Sequence, residues 1–261
     1  MAVRYEISGD AVIVTLDDGP GRNALDLAGA EEVRRAIAAA GAEPGARFLL
    51  LTGVRDWFCV GGSGPLMEQM LASDDRDWRA ASIGRFQAII AEILACPLFT
   101  VALLDGLAAG AGADMVLAAD LTLATEAARF ALLYAKLGLI PDAGFGLLEW
   151  RFGHRALLAY ADSKVLGADD LVAAGVAEPL AEADLAAVLK LLRRRFRFVP
   201  QAFTAAKAQR NAWLFGDLAA ALDDVARRQA ALFDNDETRR RLLHSAASQR
   251  GHSGGRPDGD G

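Results

Sequence analysis

Residues 105 to 146 read DGLAAGAGADMVLAADLTLATEAARFALLYAKLGLIPDAGFG, and they follow directly on the apolar run FTVALL at 99 to 104. That run predicts a buried strand, being short, continuous and rich in Val, Leu and Thr. Next come Gly106, Gly110 and Gly112 set among alanines, a composition that lets another backbone or a ligand approach the main chain closely. The segment ADMVLAAD then predicts a buried helix. A strand that turns straight into a helix leaves free N–H groups at the helix start, with the positive end of the dipole behind them. Such a turn either holds an anion or simply allows the helix to pack tightly on the sheet.

Outward from this stretch, strands are predicted at 3–8, 11–16, 47–52 and 120–125, and helices with apolar residues at three- and four-residue spacing at 28–40 and 78–95. A hairpin followed by alternating strands and helices predicts an α/β core with a largely parallel sheet. Beyond Gly146 nearly every segment reads as helix, including 183–196, 201–214 and 218–233. A soft boundary is expected near Pro200. The Gly-rich end, SQRGHSGGRPDGDG, has nothing to bury and predicts a disordered tail.

With 261 residues and 53% hydrophobic content, the chain suffices for one large domain or two modest ones with a substantial core. A formal charge of −6, with acids and bases mixed along the chain, argues against an electrostatic grip on nucleic acid or on an anionic membrane. Cys59 and Cys96 belong to no metal-binding or disulfide pattern, so a reducing cytoplasm is the expected location. The N-terminus alternates like a strand and lacks a signal-peptide profile. Aspartates interrupt the greasy region 99–119, which is wrong for a membrane span.

A second Gly-rich turn, DWFCVGGSGP at 56–65, again follows a strand-like run, LLLTG. Two such turns could converge their amides on one oxygen and form an oxyanion hole. Further on, Asp142 sits among Leu139, Ile140, Phe145 and Leu147. Apolar burial would raise its pKa and suit it to proton transfer near neutrality, although an aspartate after proline often caps a helix, here one starting near Gly146, or satisfies a turn. The glycines do not make GxGxxG or GxxxxGK[ST], which disfavours dinucleotide and triphosphate sites. VGGSGP misses GxSxG, and His154, His244 and His252 offer little for a hydrolase triad. No HExxH or paired ligand spacing occurs, so no catalytic metal is expected.

Together these segments resemble the crotonase superfamily, the enoyl-CoA hydratases and isomerases. GRNALDLAGAEEVRRAI is similar to its early Asn-Ala-Leu motif, FCVGGSG to the motif lining the acyl thioester, and 105–146 to its most diagnostic part. The likeness runs from about Val3 to Leu243. It implies a spiral of ββα units over residues 1–199, a helical trimerisation region over 200–247 before a tail at 248–261, and assembly as a homotrimer or dimer of trimers. It also implies that the amides of Gly62 and Ala111 form the oxyanion hole, each donor of this kind contributing about 3 to 4 kcal/mol to transition-state stabilisation. Ala24, Ser63, Gly110 and Tyr134 would contact substrate, an acyl-CoA thioester whose coenzyme A is part of the substrate and not a separate cofactor.

The acids depart from the family pattern. Hydratases carry glutamate where this chain has Asp114, roughly 1.5 Å shorter in reach, and a second glutamate where it has Tyr134, a poor base at neutral pH. The family's frequent Asp is replaced by Ser63. Asp142, in its PDAG context, resembles the acid of double-bond isomerases and of carnitinyl-CoA dehydratase-like enzymes. The expectation is therefore double-bond isomerisation with Asp142 as acid/base and Asp114 assisting. The alternatives are a hydratase or dehydratase using both aspartates, and a catalytically silent acyl-CoA-binding homologue. A dehalogenating reading lacks its histidine between Trp78 and Pro97.

Overall fold

The computed structural model describes residues 2–19 and 21–251. Strand β1 (Ala2–Ser8) turns back into β2 (Ala11–Asp17), antiparallel with Tyr5 opposite Val14. Helix α1 (Leu27–Gly41) follows, begun by the Asp26 side chain, which accepts from the Gly29 amide. Three pairs of strands come next. They are β3 (Phe48–Thr52) with β4 (Trp57–Cys59), β5 (Phe99–Leu104) with β6 (Leu107–Ala109), and β7 (Leu121–Ala124) with β8 (Arg129–Ala131).

Helices separate the pairs: α2 (Gly64–Ala72) and α3 (Arg76–Ala95) after the first, α4 (Ala111–Ala118) after the second, and α5 (Tyr134–Leu137), α6 (Phe145–Phe152) and α7 (Ala156–Asp162) after the third. Strand β9 (Val165–Gly167), helix α8 (Ala168–Ala173), strand β10 (Glu178–Pro179) and helix α9 (Leu185–Arg195) lead to three last helices. These are α10 (Pro200–Phe215), α11 (Leu218–Leu232) and α12 (Asp236–Gly251). Helix α12 thus continues through residues 248–251 of the expected tail, and the rest of that tail lies outside the described residues.

The first strand of each pair joins a six-stranded sheet, β1-β2-β3-β5-β7-β10, and the second joins a four-stranded sheet, β4-β6-β8-β9. Each turn of the chain thus adds one strand to each sheet and one helical layer outside, which is the ββα spiral expected above. In the large sheet Leu50 is aligned with Val101, and Val101 with Leu121. These residues pack on one face against Val188, Leu189 and Leu192 of α9. The alternate residues Leu49, Leu51, Ala102 and Leu104 enter the main core on the other face, with Val33 of α1 and Ile89 of α3. A sheet buried on both faces explains why its strands read as continuous apolar runs.

The C-terminal helices fold back onto this core. Lys207 of α10, buried, reaches Asp120 Oδ2 at 2.6 Å, and Arg210 reaches the other oxygen at 3.0 Å. Asp120 also accepts from the amide and hydroxyl of Thr100 on β5. Arg79 of α3 donates to the Ala230 carbonyl at 2.8 Å and to Asp234 at 2.7 Å, fastening α11 over α3. Among the described residues no helix is long and apolar enough to cross a membrane.

Candidate active site

Strands β4 and β6 are parallel neighbours, with Cys59 paired to Ala108, so the loops leaving their C-terminal ends lie side by side. The first loop carries Gly61 and Gly62, the second Gly110 and Ala111. They touch: a Cβ on Gly61 would lie 3.0 Å from the Ala111 amide nitrogen, and Gly61 itself has φ +82°. Gly112, one residue on, sits so close to β4 that a Cβ there would fall 2.0 Å from the Cys59 carbonyl oxygen. Small residues in both loops are therefore a steric requirement of bringing two backbones together.

Leu25 secures the first loop, its amide donating to the Gly61 carbonyl at 2.8 Å and its carbonyl accepting from the Ser63 amide at 2.7 Å. The Gly62 amide takes part in neither bond. Asn23, fully buried with φ +55°, donates to the carbonyls of Trp57 and Phe58 and so props β4 from behind. Ala111 opens α4, where the first amides have no carbonyl one turn back. Gly62, Gly110 and Ala111 all line one cavity of about 260 Å³.

That cavity is mostly apolar, walled by Leu66 and Met70 of α2, Ile83 and Phe86 of α3, and Phe233 and Leu242 from the C-terminal helices. Its polar lining includes Arg22, Tyr134, Asp142, Gln229 and Ser245. Ala24 and Ser63 are not part of the lining. The Ala24 amide donates to Asp18, and the Ser63 side chain caps α2 by accepting from the Leu66 amide at 3.4 Å.

Two carboxyls meet here without sharing the same exposure. Asp114, 1% exposed, faces inward from α4 and does not line the cavity. Its Oδ2 accepts from the Tyr134 hydroxyl at 2.9 Å and from the Ala143 amide at 3.2 Å, while its buried Oδ1 has no hydrogen-bond partner. Burial, together with the nearby Asp142 charge, pushes the Asp114 carboxyl up to about 8. An acid held neutral in this way carries no charge on an unsatisfied oxygen.

Asp142 follows the turn of α5 and does not cap α6, whose N-cap is Gly144 with no side-chain bond. Its Oδ1 accepts from Gln229 Nε2 at 2.6 Å, and its main-chain carbonyl accepts from Gln87 Nε2 at 2.8 Å. Burial raises its carboxyl to about 6, with the Gln229 bond acting in the opposite sense. Burial thus raises both carboxyls, Asp114 the more, which disposes the pair to share one proton near neutrality and Asp142, the one lining the cavity, to ionise the more readily. Gln87, Gln229 and Asn23 went unassigned in the sequence. Asn23 had a visible signal in the Asn-Ala-Leu motif, whereas the two glutamines had none, lying 55 and 87 residues from the aspartate they hold.

A family model described as Enoyl-CoA hydratase/isomerase matches residues 6–246. Among curated proteins, a probable enoyl-CoA hydratase of Rhodobacter capsulatus is 36% identical over 145 residues, 54% of this chain and 53% of that protein. A 1,2-epoxyphenylacetyl-CoA isomerase of Escherichia coli is 33% identical over 115 residues, 42% of each chain. The chain spans about half the length of the curated relatives it matches. Among solved structures, an enoyl-CoA hydratase from Bacillus halodurans superposes with a TM-score of 0.84 at 24% identity, covering 93% of this chain and 99% of that one, a likeness of fold.

Proposed function

The chain belongs to the enoyl-CoA hydratase/isomerase family, and from that premise we propose that it shifts a double bond along an enoyl-CoA thioester by way of an enolate. The observation that carries this reading is the unequal exposure of the two acids. Among the described residues Asp142 is the one carboxylate lining the cavity, and Asp114 is closed off from it. Hydration needs two groups on one water and substrate, whereas a 1,3-proton shift needs a single base that gives back the proton it takes.

In the proposed reaction the Asp142 carboxylate removes a proton from C2 of a 3-enoyl thioester. The C–H electron pair moves into a dienolate, with the negative charge on the thioester oxygen. The amides of Gly62 and Ala111, from touching loops, are the donors for that oxygen, each contributing about 3 to 4 kcal/mol in the transition state. Asp142 then returns the proton at C4, leaving the 2-enoyl thioester. The apolar walls suit a hydrocarbon acyl group. A homotrimeric or hexameric assembly in the cytoplasm accompanies this reading as part of the family pattern.

Hydratase or dehydratase action with both aspartates is the second reading, favoured by the one-proton pairing of Asp114 and Asp142 at the cavity wall. Separate incubations with 3-hexenoyl-CoA and 2-hexenoyl-CoA, followed by chromatographic separation of the two isomers and mass spectrometry, distinguish the two. Isomerisation converts the 3-enoyl substrate into the separately eluting 2-enoyl thioester with no mass change. A gain of one water from the 2-enoyl substrate, with no isomerisation, overturns the first reading. Absence of both reactions and of deuterium exchange at the α-carbon leaves a silent binder.

A further inference from the structure

We infer that Gln229, on helix α11, is the positioning residue that holds the Asp142 carboxyl toward the cavity and favours its charged form. The importance of that role rests on the proposed use of Asp142 in proton transfer, although its first readout does not. Gln229 is 2% exposed, and both ends of its amide are engaged. Its Oε1 accepts from the Ile140 amide at 2.8 Å, and its Nε2 donates to Asp142 Oδ1 at 2.6 Å. A main-chain N–H can only donate, so the Ile140 bond dictates which end of the amide meets the carboxyl. Asp142 is thereby given a donor, and a donor favours the charged form.

On Asp114 the Tyr134 hydroxyl and the Ala143 amide both fall on Oδ2, leaving Oδ1 buried without a partner. Ionising Asp114 would put charge on that oxygen. Two coupled carboxyls share one proton; burial raises both and Asp114 the more, with the Asp142 charge beside it, while the Gln229 bond acts on Asp142 in the opposite sense. The groups facing Asp142 are Asp114 from α4, Tyr134 from α5, Gln229 from α11 and Gln87 from α3, with Arg22 lining the same cavity. Gln87 donates to the main-chain carbonyls of Asp142 and Leu222 and so ties the loop to α11. It holds the backbone, while Gln229 holds the side chain.

Carbon-13 NMR of carboxyl-labelled aspartate, assigned with Asp114→Asn, tests this without need of turnover. In the wild type Asp142 should titrate at lower pH than Asp114. In Gln229→Leu its midpoint should rise by about one unit or more, and the acid limb of kcat/KM for 3-hexenoyl-CoA should move with it. An unchanged midpoint, or Asp114 ionising first in the wild type, overturns the inference. If Gln229→Leu does not fold, Gln229→Asn, whose amide is too short to reach both partners, replaces it against the wild-type order. Expected carboxyl behaviour without enoyl-CoA turnover leaves Gln229 assigned and refutes the proposed function. Turnover with an unmoved acid limb does the reverse.

Discussion

The Tyr134 hydroxyl donates to Asp114 Oδ2 at 2.9 Å, and of these two residues only the tyrosine lines the cavity. The ring separates the more basic carboxyl from substrate space and uses its one polar handle inward. Tyr134→Phe should therefore cost about 1 to 2 kcal/mol in urea unfolding, the penalty for removing a partner from a buried acceptor, while kcat changes by less than about tenfold. A loss of several hundredfold would mean that the hydroxyl meets substrate.

Asp142 is the group expected to move the proton. Asp142→Asn keeps the shape and removes the base, so kcat should fall by about 10² to 10⁴-fold with thioester affinity unchanged, as read by isothermal titration calorimetry. Retained turnover would falsify the assignment.

Asp114 supplies a pH dependence of stability whose sign follows from its raised carboxyl. The folded chain holds that proton up to about 8, and the unfolded chain releases it near the ordinary value of about 4. The contribution is full below about pH 4 and is lost as pH rises through 8. Asp114→Asn abolishes it. Relative to that variant, the wild type should lose on the order of 4 kcal/mol between about pH 5 and pH 9, measured by denaturant unfolding at each pH. A constant difference between the two proteins would contradict the buried neutral acid.

Gly112 has no room for a side chain, because a Cβ would fall 2.0 Å from the Cys59 carbonyl oxygen. Gly112→Ala should destabilise by about 2 to 4 kcal/mol and also lower kcat/KM, since the α4 start must shift away from the neighbouring loop. Wild-type melting temperature and activity together would show that the two backbones are not held this close.

The buried Lys207–Asp120 pair offers a control remote from the cavity. Lys207→Met leaves Asp120 with Arg210 and Thr100 but removes its 2.6 Å partner, and should cost about 3 to 5 kcal/mol in unfolding free energy. Activity per folded molecule should be unchanged.

Periodicity and apolar runs were enough to read β1, β2, β3, β5 and β7 and the long helices α1, α3, α9, α10 and α11, because each has a length over which a pattern can repeat. The small sheet escaped that reading. Its strands β4, β6, β8 and β9 are three residues each, and LAA at 107–109 had looked like part of a turn. Their pairing is what sets the two glycine-rich loops side by side, a relation between residues such as Cys59 and Ala108, 49 positions apart, that no local pattern carries.

By itself the chain of residues determined the family and the pair of small-residue loops, since these depend on motifs contiguous in sequence, and the ββα course followed only from the resemblance those motifs carry. Tertiary structure alone decided that Asp142 faces the cavity while Asp114 lies behind Tyr134, that Ser63 serves as a helix cap, and that helices α11 and α12 supply one wall. The reason is physical: whether a carboxyl is a base or a buried neutral acid depends on the donors and apolar groups around it, and here those come from α3, α5 and α11, far apart along the chain and adjacent only once folded.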